Sequence, residues 1–181
     1  MCTRIVLEAV FKAITTTHPS LPSKQQHFKL PKRLFRSLSP SNRTGGIDAG
    51  VHAFVEYLFQ LHPGPDPNSH DGYALVRAVQ ARNIPIIRLL LAHGADPGRR
   101  DSLAIFLAIQ SKKLSLVKLL VERDERLKSS GPGKRRKLED RVKVTATMLR
   151  VAVKKRATDI IEWFMQEKSC VPDMRTLMSL R

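Results

Sequence analysis

The chain has 181 residues, of which 42% are hydrophobic, so it can bury a core and wholesale disorder is not expected. Its longest apolar runs, such as Leu89–Ala92, are far shorter than the roughly 20 residues of a membrane-spanning helix, and no span is expected. Cys2 and Cys170 lie at opposite ends, which favours a reducing compartment over a disulfide framework. The formal net charge of +16 favours acidic partners, nucleic acid or anionic lipid.

Residues 1–50 form a basic N-terminal segment that we predict to be partly disordered. The range 1–47 is rich in Lys and Arg but contains a single acidic residue, Glu8. Its Pro, Ser and Thr content after residue 14 predicts largely irregular structure, with a short helix around Lys32–Leu38. A further helix is predicted over Thr3–Ile14.

Residues 51–181 show helical spacing of apolar residues and no alternating pattern of a strand. The predicted helices are short and come in pairs, which indicates helical hairpins. They lie near Val51–Leu61, Tyr73–Arg82, Pro85–His93, Leu103–Ser111, Ser115–Arg123, Thr147–Lys155, Thr158–Glu167 and Asp173–Leu180.

An internal repeat underlies this pairing, because Tyr73–Ala92 shifted by 30 residues falls on Leu103–Glu122. The identical pairs are Ala74/Ala104, Ala78/Ala108, Gln80/Gln110, Leu89/Leu119 and Leu90/Leu120. A third, weaker copy follows at a shift of 44 and places Ala152 on the Ala78/Ala108 position. A small residue there would allow the first helix of each pair to approach its neighbour closely. The second helix opens at one shared position with Pro85, Ser115 or Asp159, all of which suit a first turn.

The segment Ile84–Pro97, with its run Leu89-Leu90-Leu91-Ala92-His93-Gly94-Ala95-Asp96, resembles the second helix and outgoing turn of an ankyrin repeat. Ser115–Glu122 resembles the same helix, Thr158–Glu167 does so more loosely, and Val55–Phe59 resembles the end of an earlier copy. The resemblance covers roughly Val51–Leu180. It departs from the family pattern at the Thr-Pro-Leu-His start of the first helix. It also departs at the glycine between the helices, where Arg82, Lys112 and Arg156 stand.

This resemblance implies an all-α fold of stacked helical hairpins, a short α-solenoid of degenerate ankyrin-type repeats over residues 51–181. A basic insertion at about 126–143 separates the second and third copies, and the segments near Val51–Leu61 and Asp173–Leu180 are the expected caps. An irregular helical bundle is the alternative.

No sequence motif indicates catalysis, a metal site or a cofactor. None of the six histidines has a histidine partner at zinc spacing, and no cysteine pair accompanies them. Gly131-Pro132-Gly133-Lys134 fails as a phosphate-binding loop, because Lys128 and Arg135 replace the required Gly and Ser or Thr. We therefore predict a protein that is not an enzyme.

The predicted function is that of an adaptor that binds a protein with an acidic surface. Ankyrin-like stacks use the inner helices and the protruding loops as a concave face. The expected partner-binding residues are Arg77, Gln80, Arg99, Arg100, Leu107, Gln110, Lys154 and Lys155. The alternative is a nucleic-acid-binding accessory protein, which the net charge supports but no recognised motif does.

The run Lys134-Arg135-Arg136-Lys137 lies within the insertion and resembles a short nuclear-import signal. It predicts a nuclear or nucleocytoplasmic protein; a merely solvated loop in a cytoplasmic protein is the alternative. A mitochondrial location is a further alternative, because the N-terminus is basic, although Glu8 argues against a transit segment.

Replacing all four residues Lys134–Lys137 by alanine should move a tagged protein toward the cytoplasm, because an import receptor recognises the dense positive charge. Microscopy of the tagged protein measures the distribution, and circular dichroism checks that the fold is retained. An unchanged distribution would make the run an ordinary charged loop.

Overall fold

The structure, a computed structural model, describes residues 29–36, 38, 47–61, 64–122 and 140–179. Within these ranges it is helical, and the only strand-like feature is an isolated bridge between Lys29 and Asp66. The predicted helix Thr3–Ile14 and the run Lys134–Lys137 lie outside the described residues. The helices are α1 (Lys32–Arg36), α2 (Ile47–Gln60), α3 (Ser69–Gln80), α4 (Ile84–Ala92), α5 (Arg99–Gln110), α6 (Leu114–Val121), α7 (Ala146–Lys154), α8 (Thr158–Gln166) and α9 (Met174–Ser179).

The helices form two layers of a stack. Helices α1, α3, α5, α7 and α9 pack side by side in the first layer, and α2, α4, α6 and α8 pack side by side in the second. Helix pairs α3–α4, α5–α6 and α7–α8 connect the two layers. This order is the predicted stack of helical hairpins, and every predicted helix within the described residues is confirmed with ends shifted by a few residues.

Helices α3, α5 and α7 of the first layer approach one another closely because each carries a small residue at the contact. Ala78, Ala108 and Ala152 are completely buried, as the repeat predicts. Larger apolar residues fill the second layer, where Ile87, Val117 and Leu120 are also fully buried. Apolar side chains of both layers form one continuous core, because a single helical hairpin leaves a face that only its neighbours can cover.

The core begins before residue 50, the predicted domain boundary. Leu30, Phe35 and Leu38 are buried in the same cluster as the repeats, and α1 packs against α3. The backbone N–H of Leu30 donates a hydrogen bond of 3.0 Å to Oγ of Ser69, which ties this segment to the start of α3. Part of the segment that was predicted to be largely irregular thus joins the core through its contacts with α3.

Helix α9 packs against α7 and ends the first layer at the C-terminal side. Thr176 is buried there, and its backbone N–H donates to a carboxylate oxygen of Asp173 at 2.8 Å. Val171, Met174 and Met178 are exposed. The segment therefore sits where the predicted cap was expected, and it exposes three apolar side chains.

The loops before α3 and α5 have the same structure, as the sequence repeat predicts. Asp66 and Asp96 each accept a hydrogen bond from the backbone N–H two residues later, at 2.9 and 2.8 Å. In both copies the first turn of the following helix, at 70–72 and at 100–102, has positive φ angles. Asn68 joins the two loops, because its amide donates to the carbonyl of Gly94 and accepts from the N–H of Asp96.

The insertion between the second and third copies leaves the stack intact because its two ends are held together. The ammonium of Lys168 lies 3.1 Å from a carboxylate oxygen of Glu122 and 2.8 Å from one of Asp140. Arg141 binds the carbonyl oxygens of Leu119 and Glu122. Burial alone would lower the pKa of Lys168, but the hydrogen bonds to Asp140 and Glu122 outweigh it and raise that pKa. Chain length can therefore be added here without separating α6 from α8.

None of the helices in the described ranges combines the length and apolar character that a bilayer crossing requires.

The replacements Leu90→Ala and Leu120→Ala should each lower the free energy of unfolding by about 2–5 kcal/mol, because both side chains are fully buried at equivalent repeat positions. Urea denaturation measures the loss. The control Met165→Ala removes an exposed side chain and should change the free energy by less than about 0.5 kcal/mol. Equal effects of core and control substitutions would contradict the stacked core.

Candidate interaction surface

Each helix pair is closed by a tight turn that requires one left-handed residue. After α3, the N–H of Arg82 donates to the carbonyl of Val79 and the N–H of Asn83 donates to the carbonyl of Ala78, at 2.9 and 3.0 Å. After α7, Arg156 and Ala157 make the same pair of bonds. This is the Schellman pattern, which satisfies the last carbonyls of a helix and places the residue that follows the cap in the left-handed region.

The left-handed residue of all three turns is a cation. Arg82, Lys112 and Arg156 have φ angles of 55°, 54° and 52°. Glycine usually occupies this position, because a Cβ atom makes the left-handed conformation costly. The cation partly compensates, since positive charge near a helix C-terminus is favoured by the helix dipole.

These turns lie along one edge of the stack, because the starts of α3, α5 and α7 lie side by side at the other edge: Asn68 bonds to Gly94 and Asp96, and Gly98 lies beside Val142. Neighbouring packed helices are about 8–10 Å apart, so successive turns repeat at about that distance. We call this row the turn edge. It consists of the exposed cations Arg82, Lys112, Lys113, Lys154, Lys155 and Arg156.

The turn edge is not charge-compensated within the described part of the chain. None of its six side chains forms an ion pair or a side-chain hydrogen bond with another described residue. The acidic side chain next to the row is Asp159, in the first turn of α8, which accepts a hydrogen bond from Thr158. The turn edge therefore presents positive charge to solvent.

Four cations at or near the opposite edge, which carries the loops between the helix pairs, are paired with carboxylates. Arg100 lies 3.6 Å from Asp71 of the preceding loop, and Arg99 lies 3.7 Å from Asp96. Lys118 lies 3.3 Å from Glu167, and Lys168 bridges two further carboxylates. These four cations are thus compensated by carboxylates, whereas the six cations of the turn edge have no such partner among the described residues.

Arg77, one of the predicted partner-binding residues, is engaged inside the stack. Its guanidinium donates to the carbonyl oxygens of Phe35 and Arg36 at 3.4 and 2.8 Å, and to the side-chain oxygen of Gln80 at 2.6 Å. It thereby satisfies the last carbonyls of α1, which a short helix leaves without internal partners. Arg77 is half-buried and has this structural role; a contact with a partner stays a prediction for it.

The other predicted residues fall into two groups. Gln80, Gln110, Lys154 and Lys155 are exposed at or beside the turn edge. Arg99 and Arg100 are exposed at the loop edge in ion pairs, and Leu107 is half-buried against the core. The structure therefore brings four of the eight together and places the rest elsewhere.

The sequence prediction omitted Arg82, Lys112, Lys113 and Arg156 from the interaction surface. A signal for three of them was present, because Arg82, Lys112 and Arg156 occupy one position in three copies. Their shared property is visible only once the turns are aligned along one edge.

Trp163 is buried in the core. The ammonium groups of Lys118 and Lys168 lie over its ring at 5.4 and 5.0 Å. Among the described residues no group of three His, Cys, Asp or Glu side chains is placed to hold a metal ion. Partial burial raises the pKa of the Cys170 thiol, so this thiol is protonated at neutral pH.

Comparison with known proteins gives one match. Residues 47–130 match the family model described as ankyrin repeats (3 copies). This match spans α2 to α6, whereas the pair α7–α8 lies beyond it. No curated protein and no solved structure matches the chain.

The replacement Arg156→Gly should raise the free energy of unfolding by up to about 1 kcal/mol, because glycine adopts the left-handed conformation without a Cβ penalty. The neighbouring Lys155 is a matched control, since it is also an exposed cation but has φ −88°. Lys155→Gly should lower the free energy of unfolding by about 0.5–1 kcal/mol, because the helical conformation costs glycine more entropy. Thermal or urea denaturation of the two variants measures the contrast, and a shift of the same sign in both would contradict it.

Proposed function

We propose that the chain, whose residues 47–130 match the ankyrin-repeat family model, is a non-catalytic adaptor that binds an acidic surface of another protein. Ankyrin repeats generally mediate protein–protein interactions. The proposal of an acidic partner is supported by the turn edge. This row of exposed cations has no carboxylate partner among the described residues, and the whole chain has a net charge of +16.

The stack is suited to such binding because its helices hold the cations in place before a partner arrives. A rigid scaffold lowers the ordering cost that a flexible basic segment would meet on binding. Complementary charge also accelerates encounter, although salt screens this attraction over about 8 Å at physiological ionic strength. We therefore assign the specific contact to the folded stack and only long-range attraction to the basic N-terminal segment.

A nucleic-acid-binding accessory protein is the second candidate, and the net charge alone favours it. The turn edge contains no aromatic side chain on which an exposed base could stack. The two candidates differ in salt dependence. Neutralisation of phosphates releases counterions and gives a steep log–log slope, whereas a mixed protein interface gives a shallower one.

We further propose a nuclear or nucleocytoplasmic location for this adaptor. Its support is the sequence of the run Lys134–Lys137, which lies in the insertion whose ends Lys168 holds together.

Affinity capture with the full chain should recover a protein that has an acidic surface, and treatment with nuclease should leave this recovery unchanged. Quantitative mass spectrometry identifies the partner, and the salt slope of its purified complex should be shallow for a protein interface. Loss of the partner after nuclease treatment, or binding of nucleic acid with a steep slope, would contradict the adaptor proposal.

Deletion of residues 1–28 tests the role of the N-terminal segment in the same complex. This deletion spares Leu30, Phe35 and Leu38, which belong to the core, whereas removal of residues 1–47 would expose it. The association rate should fall while the dissociation rate stays nearly constant, because long-range charge mainly affects encounter. Abolished binding would make the N-terminal segment the functional element.

A further inference from the structure

We propose that the turn edge, rather than the loops and the predicted concave face, is the docking surface, and that its occupant is an extended acidic polypeptide segment. This inference rests on the proposed adaptor function and names the site and the kind of partner. Four of its six cations, Arg82, Lys112, Lys113 and Arg156, lie outside the residues that the sequence predicted for binding.

The first support is the conformational cost of the row. Arg82, Lys112 and Arg156 are left-handed residues with a Cβ atom, in three turns where glycine would be more stable. The helix dipole does favour a cation at a helix C-terminus. That attraction requires no left-handed residue, since Lys154 and Lys155 supply charge to the end of α7 from ordinary helical conformations. A cation at the costly position in all three turns therefore points to a role beyond stability.

The second support is that none of the six cations of the turn edge has a carboxylate partner among the described residues, whereas four cations of the loop edge do. At the loop edge Arg99, Arg100, Lys118 and Lys168 each have a carboxylate partner. The cations of the turn edge have none among the described residues, although they are exposed and able to move. An external acidic partner would meet free charges at the turn edge and would have to displace internal carboxylates at the loop edge.

The third support is the spacing of the turns. Packed helices place successive turns about 8–10 Å apart, which is the length of about three residues of an extended chain at about 3.3 Å each. An acidic residue at every third position of such a segment would face one turn after another. Gln80 and Gln110 are exposed at equivalent positions beside the first two turns. The amide of Gln110 can donate to and accept from a peptide backbone, and the amide nitrogen of Gln80 can donate while its oxygen accepts from Arg77.

These same features favour a polypeptide over a nucleic acid. A phosphate backbone only accepts hydrogen bonds, so it could bind the N–H groups of the glutamine amides but not their oxygens. The row also offers no aromatic platform for bases. An oligonucleotide is therefore included in the test as a competing ligand.

The test measures binding of the full chain to a fluorescent synthetic peptide that has glutamate at every third residue among serine and glycine. The same peptide with glutamine is the neutral control, and a single-stranded oligonucleotide of equal charge is the competing probe. The variant Lys112→Glu/Lys155→Glu reverses two turns. The matched control Arg88→Glu/Lys143→Glu changes net charge equally, at exposed residues away from the turn edge.

The turn variant should weaken binding of the glutamate peptide at least about tenfold, because like charges would then face each other. The control variant should stay within about twofold of the unmodified protein. It changes the long-range field as much as the turn variant does, but it leaves the turn edge intact. Equal weakening by the two variants, or normal binding by the turn variant, would overturn the turn edge as the site and leave the adaptor proposal standing. Failure of the unmodified protein to prefer the glutamate peptide over the glutamine peptide would count against the acidic partner itself. Tighter binding of the oligonucleotide, lost in the turn variant, would overturn the polypeptide assignment.

The glycine substitution provides a second, independent readout. Arg156→Gly should raise the melting temperature and weaken binding of the glutamate peptide, since it removes both the strain and the charge. A stabilised Arg156→Gly variant that binds normally would contradict a binding role for this residue, and its retained fold would exclude unfolding as the reason.

Discussion

The close approach of neighbouring first-layer helices is the constraint on which the rest of this structure depends. A single helix pair of this length cannot bury its apolar face alone, so each pair needs the next one. Ala78, Ala108 and Ala152 make that contact possible because their side chains occupy almost no space between the helices. Regular stacking at these positions then sets the register of the turns and loops, with all the turns at one edge and all the loops at the other.

Because of this register, the two edges of the stack differ in how their charges are paired. The loops bring cations and carboxylates of successive pairs together, as in the contact of Arg100 with Asp71. The turns bring cations together with no comparable supply of carboxylates. Exposed ion pairs contribute little to stability, so the separation matters more for which edge attracts a partner than for how firmly the stack folds.

The stack also tolerates departures from regular repeats where local contacts replace the missing ones. Asn68 links two loops through backbone groups of Gly94 and Asp96, and Lys168 joins the ends of the insertion through Glu122 and Asp140. In both places a few polar contacts maintain the spacing of neighbouring pairs. The insertion can consequently carry its own sequence, including the basic run, without a cost to the packing of α6 against α8.

The sequence by itself determined the helices, their pairing and the buried alanines, because helical periodicity and a 30-residue repeat are local patterns that survive without knowledge of the contacts. It also predicted that Gln80, Gln110, Lys154 and Lys155 face outward, since the register along one helix determines which residues are exposed. Only the tertiary structure decided that Phe35 joins the core, that Arg77 holds the end of α1, and which cations are paired. These outcomes depend on contacts between residues far apart in the chain, and no periodicity along the chain records which carboxylate or carbonyl will lie beside a given cation.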